Sequence, residues 1–304
     1  MPTIDAVFLQ SVVYLYPDAD AAKRGVGAGG TGFLVGVSSG LNADPAFART
    51  PKAMREIQAS GSWALYAVTA AHVVVLGCPV VRISTRDGKT RVLDLPLNAW
   101  QLHPDGDDVA VCSIGPATEH GRIAFVPEPF LLSEEDFADQ GFTPGSEVFF
   151  VGRFMGYDGQ QRNAPSVRFG NLAIAERVPV RNEKSGISQE SILVEMRSLP
   201  GYSGSPVFLY NPVEQFLLKD DELLYSPNGL ENVWLLGVDW CHLTSKEPVR
   251  QKDGSPLAED LFVNQNSGMA GVVPAWKLAQ LLHEKEPTHP GSAGAPKPDA
   301  ARAR

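Results

Sequence analysis

Residues 199–208 of this chain read Leu199-Pro200-Gly201-Tyr202-Ser203-Gly204-Ser205-Pro206-Val207-Phe208. Here Ser203 lies between glycines in a tight turn that leads directly into an apolar strand. Such a turn exposes a hydroxyl group and leaves backbone N–H groups free to face a developing oxyanion, as a nucleophilic serine requires. A plain Gly-Ser turn between two strands fits the same residues. The partners of the serine upstream in the chain decide between these two interpretations.

The composition is that of an ordinary globular protein. With 304 residues, 43% of them apolar, the chain is long enough to bury a sizeable core in one large domain or two modest ones. Its 26 basic and 35 acidic residues give a net charge of -9, which opposes binding to phosphate backbones and to anionic membrane surfaces. We therefore expect no nucleic-acid partner and no membrane partner.

The distribution of apolar residues and cysteines indicates the cellular compartment. No run approaches the roughly 18 apolar residues of a membrane helix, and the N-terminal residues lack the features of a signal peptide. These observations predict a cytoplasmic protein. The three cysteines have neither metal-ligand nor disulfide-framework spacing, so we expect them to be buried free thiols: Cys78, Cys112 and Cys241.

Short runs rich in β-branched and aromatic residues, bounded by turn residues, recur along the chain and predict an all-β sandwich or barrel. The predicted strands cover residues 7–16, 32–37, 63–69, 79–84, 90–95, 109–114, 147–152, 166–174, 191–196, 206–210, 233–240 and 269–273. Helices are expected at 50–61, within an insertion at about 40–61, and at 274–282. The Pro-, Gly- and Ala-rich residues 284–304 are expected to form a disordered tail or a linker.

Two further residues at the ends of predicted strands change the interpretation of Ser203. His72 follows the strand and the two alanines of 66–71, and Asp108 precedes the apolar run 109–112. Taken singly, His72 is typical of a hydrogen-bonded core or edge residue, and Asp108 of a capped turn. Together the three residues occur in the order His, Asp, Ser in an all-β chain, which is the order of the chymotrypsin arrangement.

With these motifs the sequence resembles the trypsin-like, or chymotrypsin-fold, serine peptidases, in particular the bacterial branch that includes the HtrA-type proteases. The resemblance spans about residues 30–275. It is carried by Gly30-Thr31-Gly32-Phe33-Leu34-Val35, Thr69-Ala70-Ala71-His72, Asp108-Val109-Ala110-Val111, Gly145-Ser146-Glu147-Val148-Phe149-Phe150-Val151-Gly152, Gly201-Tyr202-Ser203-Gly204-Ser205-Pro206 and Leu236-Gly237-Val238-Asp239-Trp240.

The resemblance implies two Greek-key β-barrels with the active site in the cleft between them, followed by a C-terminal helix. Residues 1–118 would form the first barrel, 119–283 the second barrel and the helix, and 284–304 the tail. On this basis Ser203 is the nucleophile and His72 the general base of a serine endopeptidase that acts on protein or peptide substrates. Asp108 would orient His72, and the acid-apolar-Ala-apolar pattern of the family favours it over Asp107. The N–H groups of Gly201 and Ser203 would form the oxyanion hole, with no metal or cofactor.

The chain departs from the family pattern beside the nucleophile. Tyr202 stands where many members have Asp or Asn, and Ser205 where they have glycine, which brings the close packing behind the turn into question. Counting back from Ser203 places Arg197 near the base of the primary specificity pocket, where it would favour an acidic substrate residue, although it also fits the outward face of its strand. The expected pocket walls are Asp239, Trp240 and Gly271.

Two other functional classes fit parts of the sequence. The first is a catalytically silent barrel pair that acts as a protein-recognition module, in which Tyr202 or Ser205 distorts the turn. The second is an α/β-hydrolase esterase, suggested by Gly201 two residues before Ser203. That class requires a glycine where Ser205 stands, and alternating helices that the chain lacks. A regulatory partner is compatible with either trypsin-like reading, and no residue identifies one.

Overall fold

The structure of the chain is a computed structural model. It describes residues 3–38, 49–85, 87–120, 123–139, 141–154, 162–181, 186, 188–196, 198–219 and 222–284. The residues 39–48 of the expected insertion and 285–304 of the expected tail lie outside this described part.

The described part contains fourteen strands, six α-helices and three short 3₁₀-helices. The strands are β1 Val12–Tyr16, β2 Gly30–Val37, β3 Ala64–Thr69, β4 Val80–Ser84, β5 Thr90–Leu93, β6 Gln101–Leu102, β7 Ala110–Pro116, β8 Val126–Pro127, β9 Glu147–Gly152, β10 Ser166–Arg181, β11 Ser188–Glu195, β12 Pro206–Lys219, β13 Glu222–Pro248 and β14 Phe262–Pro274. The α-helices are α1 Ala6–Gln10, α2 Ala19–Arg24, α3 Pro51–Ala59, α4 Ala71–Val75, α5 Glu134–Asp139 and α6 Ala275–His283. The 3₁₀-helices are Leu97–Ala99, Ala117–Glu119 and Glu128–Phe130.

The first half of the chain forms one curled sheet in the order β5-β4-β1-β2-β3-β7-β6, and β8 adds to β2 in parallel. The strands on this path pair antiparallel and their apolar residues point into a common core. In β1 every residue is buried, because one face packs inside the curl and helices cover the other.

The second half forms a closed barrel, in which the strands follow the order β10-β11-β14-β13-β12-β9. Its interior is aromatic: Phe149 and Phe208, on adjacent strands, stack with ring centroids 5.0 Å apart. A half-barrel sheet, a barrel and a C-terminal helix confirm the all-β, double-barrel class that the sequence predicts. The boundary at 118/119 stays a prediction.

The first predicted strand, 7–16, is wrong over its first half. Residues Ala6–Gln10 form helix α1, and β1 begins only at Val12. The Asp5 carboxylate accepts a hydrogen bond from the Val7 N–H and caps the helix. Phe8 points into the barrel, where its ring contacts Phe149 and Phe208 edge-on. The apolar run of residues 6–16 is continuous because helix α1 is buried as well as β1. A short apolar run of this kind does not by itself distinguish a helix from a strand.

The two predicted helices are confirmed. Thr50 caps α3 by accepting from the Ala53 N–H, and Met54 is buried. Helix α6 buries an apolar stripe made of Trp276, Leu278, Leu281 and Leu282. None of the helices in the described part is long and apolar enough to span a bilayer.

Candidate active site

His72 lies in the first turn of α4, directly after strand β3. The helix begins at Ala71, and Ala70, which is completely buried, leaves room for the backbone to bend from strand into helix. The imidazole is partly exposed, with 28% of its side-chain surface accessible. The short helix therefore presents His72 at the edge of the first sheet rather than inside its core.

The structure brings His72 and Asp108 into direct contact. The Nδ1 atom of His72 lies 2.7 Å from Oδ2 of Asp108, and the backbone N–H of His72 donates to Oδ1 over 2.8 Å. Both carboxylate oxygens of this buried aspartate are thus used by one residue. Because a carboxylate only accepts, Nδ1 carries the proton, and Nε2 of the neutral ring is left as an acceptor. This is the orientation that a general base requires.

Asp107, the competing carboxylate, points elsewhere. Its Oδ2 atom lies 3.2 Å from Nδ1 of His103 and 3.2 Å from Nζ of Lys277, which also lies 3.5 Å from Asp105. His103, Asp105 and Asp107 have ligand atoms close enough to hold a metal ion. The Lys277 ammonium lies within ion-pair distance of both carboxylates, whereas both ring nitrogens of His103 and Oδ2 of Asp107 are buried without a hydrogen-bond partner among the described residues.

The turn that carries Ser203 has a conformation and an environment that require Gly204. Its φ is +89°, and a Cβ atom at this position would overlap the carbonyl oxygen of Thr31. The Gly204 N–H donates to the Asp239 carbonyl over 2.7 Å, and the Asp239 N–H donates to the Ser205 carbonyl over 2.9 Å. These bonds join the turn to the middle of β13 and hold Ser203 half-buried at the mouth of a cleft.

The backbone N–H groups of Gly201 and Ser203 are free of hydrogen bonds to any described residue. Gly201 has a φ of +96°, a left-handed conformation that favours glycine. Two unengaged N–H groups on either side of Tyr202 form a pair of donors of the kind an oxyanion needs. Among the described residues, no hydrogen bond joins the Ser203 hydroxyl to His72, although both residues line the same cleft.

Thr31 joins the nucleophile turn to the first sheet, a role that the sequence analysis missed. From β2 its N–H donates to the Ser203 carbonyl over 2.9 Å, and its hydroxyl donates to the Gly201 carbonyl over 2.7 Å. The Thr69 hydroxyl, three residues before His72, donates to the Thr31 carbonyl over 2.6 Å. The only signal in the sequence is a hydroxyl residue in an otherwise apolar strand. In the structure Thr31 is fully buried, and a buried hydroxyl needs a hydrogen-bond partner.

Tyr202 anchors the turn to the strands of the barrel. It is completely buried, its ring packs edge-on against Phe150 at 4.8 Å, and its hydroxyl accepts from Nε of Arg168 over 2.9 Å. The same hydroxyl shares a hydrogen bond of 2.5 Å with Ser166. The residue that departs from the family pattern therefore has its own set of partners on β10, which hold the turn without an aspartate.

Ser205, the second departure, fits its surroundings sterically, although its hydroxyl makes no hydrogen bond to a described residue. It is completely buried, and its hydroxyl occupies the space beside Gly152 that a Cβ at residue 152 would need. Because Gly152 has no side chain, the barrel accommodates the extra atoms of Ser205 without displacing the turn.

The cleft beside His72 and Ser203 has a volume of about 770 Å³ and mostly apolar walls. The β10–β11 hairpin contributes Val178–Arg181, α4 contributes Val75 and the following Leu76, and β13 contributes Trp240–Thr244. Trp240 lies on the wall of this cleft, and its part in a specificity pocket stays a prediction. Gly271 faces Trp240 and Cys241, whose side chains would lie 2.9 Å and 2.8 Å from an added Cβ. Arg197 lies outside the described residues.

Asp239 is buried and does not line the cleft. Only 1% of its surface is exposed, and its Oδ2 atom accepts from the Ser198 hydroxyl over 2.9 Å. Burial raises the pKa of Asp239 to about 7, although the Ser198 hydrogen bond and the charge of His72 act in the opposite direction. At neutral pH this carboxyl group is therefore partly protonated.

The three cysteines are free, as predicted, but only Cys112 is fully buried. Cys78 and Cys241 are half-buried, which corrects the expectation for these two. Burial, together with the charges of Asp239 and Asp108, raises the pKa of Cys241 to about 12. The thiol is protonated at neutral pH, so the cysteine on the cleft wall is a poor nucleophile.

Comparisons with known proteins give a likeness of fold. No family model and no curated protein matches the chain. A crystal structure of the Rv3671c protease in an inactive form is 15% identical, with 91% of this chain and 89% of that chain covered and a TM-score of 0.44. A crystal structure of an inactive serine-to-alanine mutant of Rv3671c from M. tuberculosis H37Rv is 14% identical, with 94% of this chain and 91% of that chain covered and a TM-score of 0.42. At these identities the likeness concerns the fold alone.

Proposed function

We propose that the protein is a trypsin-like serine endopeptidase that hydrolyses peptide bonds through an acyl-enzyme. The observation that supports it most is the doubly hydrogen-bonded contact between His72 and the buried Asp108, at the mouth of the cleft that Ser203 also lines. A buried carboxylate is costly unless it is paired and hydrogen-bonded, and this one is paired with an imidazole in the orientation and tautomer that a general base requires.

In the proposed reaction, Nε2 of His72 accepts the proton of the Ser203 hydroxyl as its oxygen attacks the substrate carbonyl. Asp108 stabilises the imidazolium, which then donates the proton to the leaving amine. Water hydrolyses the acyl-enzyme by the same route in reverse. Nε2 and the hydroxyl come within hydrogen-bond distance when substrate binds, since such contacts are often long in a free enzyme.

The N–H groups of Gly201 and Ser203 are the proposed donors to the oxyanion. Removing one such donor typically costs about 10²–10³-fold in rate, so a rigid turn matters as much as the triad. Thr31, Tyr202 and Gly204 hold that turn from two sheets. The largely apolar cleft, with its volume of about 770 Å³, is large enough to hold several side chains of a protein or peptide segment. Trp240 is its proposed wall, while Arg197, Asp239 and Gly271 stay predictions as specificity residues.

A silent recognition module is the second candidate, and one observation favours it. The Ser203 hydroxyl makes no hydrogen bond to His72 within the described residues. If this separation persisted with substrate bound, the cleft would bind a peptide segment without cleaving it.

Covalent labelling with a fluorophosphonate probe tests the proposal, because the probe reacts only with an activated serine. We expect labelling of the wild type, and its loss in Ser203→Ala and in His72→Ala by about 10⁴-fold or more. Ser255→Ala, which changes an exposed serine in the loop between β13 and β14, is the matched control and should label as the wild type does.

Digestion of an unstructured peptide library by the same four proteins, followed by mass spectrometry, tests for peptide-bond cleavage. Labelling together with cleavage that depends on Ser203 supports an endopeptidase. A folded wild type that neither labels nor cleaves contradicts the proposal and favours the recognition module, which a peptide-binding measurement would then detect.

A further inference from the structure

Gln189 reaches from the barrel to the candidate catalytic carboxylate. It lies on β11 in the β10–β11 hairpin, opposite Val180, and only 7% of its surface is exposed. Its Oε1 atom accepts a hydrogen bond of 2.7 Å from the backbone N–H of Asp108, 81 residues away in the chain and in the other sheet.

This hydrogen bond acts on the backbone that carries the carboxylate. Asp108 lies in the turn just before β7, where the Val109 N–H already donates to the Asp107 carbonyl. Without Gln189 the Asp108 N–H would be buried with no acceptor, at a cost comparable to a lost hydrogen bond. The turn would then relax, and both contacts of the carboxylate with His72 depend on where this backbone lies.

Packing alone does not explain a glutamine here. The Nε2 atom of Gln189 is buried and has no hydrogen-bond partner among the described residues. An apolar side chain of similar size would avoid the cost of that unpaired amide. A buried amide with only one of its two polar atoms hydrogen-bonded is expected mainly where function requires that one bond. In Gln189 the bond that is made is the one from the Asp108 N–H to Oε1.

The same hairpin forms one wall of the cleft. Val178–Arg181 on β10 face the cleft opposite Val75 and Leu76, next to His72. Because Val180 pairs with Gln189, a single strand pair separates a bound substrate from the hydrogen bond to Asp108.

We propose that Gln189 is a positioning residue, which holds Asp108 in register with His72 and links the cleft wall to the candidate base. This inference rests on the proposed serine endopeptidase function. It goes beyond that function by giving the barrel, which carries Ser203, a direct part in orienting the His–Asp pair of the other sheet.

Two variants of the full-length protein test this role. Gln189→Met keeps the length of the side chain but removes the acceptor, and we expect the second-order rate of fluorophosphonate labelling at pH 7.5 to fall about tenfold. Gln189→Glu keeps the acceptor and adds a negative charge near the pair. We therefore expect a rate within about threefold of the wild type, and a pH midpoint of labelling raised by about half to one unit, because the charge favours the imidazolium. Ser188→Ala, an exposed neighbour on the same strand, should change neither quantity.

A second readout does not depend on catalysis. In ¹⁵N-histidine spectra we expect His72 to be held as the Nδ1–H tautomer in the wild type and to exchange between tautomers in Gln189→Met. If the wild type does not label, the proposed function fails, yet these spectra still decide the role of Gln189.

If Gln189→Met keeps the labelling rate, the pH midpoint and the His72 tautomer of the wild type, the proposal is overturned. Should that variant not fold, an unchanged pH midpoint in Gln189→Glu would overturn it instead.

Discussion

At the scale of single residues, Asp239 combines a structural position with an unusual charge state. It joins the nucleophile turn to β13 through its backbone, while its carboxyl group is fully buried and bonded only to Ser198. Its second oxygen has no partner among the described residues. Burial without a counter-charge at hydrogen-bond distance favours the neutral form, which is why its pKa rises to about 7.

This pKa predicts that Asp239 makes the protein less stable as the pH rises. An unfolded aspartate has a pKa of about 3.9, so between about pH 4 and pH 7 the folded state holds a proton that the unfolded state releases. The free energy of unfolding therefore falls across this window, by up to roughly 4 kcal/mol, and is level above it. Asp239→Asn lacks the titrating group, so we expect it to match the wild type at pH 4 and to exceed it in stability at pH 8.

Urea unfolding of both proteins from pH 4 to pH 9 measures this difference. Ser198→Ala, which removes the one hydrogen bond to the carboxylate, should raise the pKa of Asp239 further and extend the fall in stability to higher pH. Parallel stability curves for the wild type and Asp239→Asn would show that the carboxyl group titrates normally.

At the scale of elements, helix α6 contacts the turn that precedes Asp108 through an ion pair. Its apolar stripe packs on the sheet, and Lys277 extends from it to Asp105 and Asp107. Burial lowers the pKa of Lys277, but the hydrogen bond and charge of Asp107, together with Asp105, outweigh this effect and leave the pKa raised. The ion pair is therefore fully formed at neutral pH and is lost only as the pH rises through that raised pKa.

We expect Lys277→Met to lower the free energy of unfolding at pH 7 by about 1–2 kcal/mol, because two carboxylates lose their cation while the apolar stem is retained. Lys277→Arg should restore most of the loss. Lys52→Met, which breaks an exposed pair with Glu56 on α3, is the control and should cost less than about 0.5 kcal/mol. Equal losses in the two methionine variants, measured by urea unfolding, would mean that Lys277 contributes no more than a surface charge.

At the scale of the whole molecule, the two sheets share parts of their cores. Helix α1 precedes the first strand of the first sheet, yet Phe8 is completely buried against Phe149 and Phe208 of the barrel. Thr31 and Gln189 add polar contacts across the same boundary. The two sheets are therefore joined by apolar and by polar contacts, and the polar contacts reach the candidate site.

This shared core predicts that Phe8→Ala destabilises the whole protein. The substitution removes a ring from the barrel interior, at an expected cost of about 3–5 kcal/mol, whereas Gln10→Ala on the same helix should cost less than about 1 kcal/mol. Because the sheets unfold together, far-UV circular dichroism and tryptophan fluorescence should report one coincident transition in urea. Two separate transitions would mean that α1 stabilises the barrel alone.

The sequence by itself determined the class of the fold, and it predicted the candidate catalytic residues, whose roles stay predictions. Period-2 runs bounded by turn residues mark strands, and a serine between glycines marks a tight turn, because both depend on neighbours along the chain. The same local rules failed at residues 6–10, where a buried helix and a buried strand share one apolar pattern.

Only the tertiary structure decided which groups meet. Asp108 rather than Asp107 contacts His72, Thr31 binds a turn 170 residues away, and Gln189 binds Asp108 from the other sheet. The contacts of Thr31 and Gln189 leave no local pattern, because each depends on how the two sheets pack against each other. The chain thus specifies its strands and turns locally, and assembles its candidate site through contacts between residues far apart in sequence.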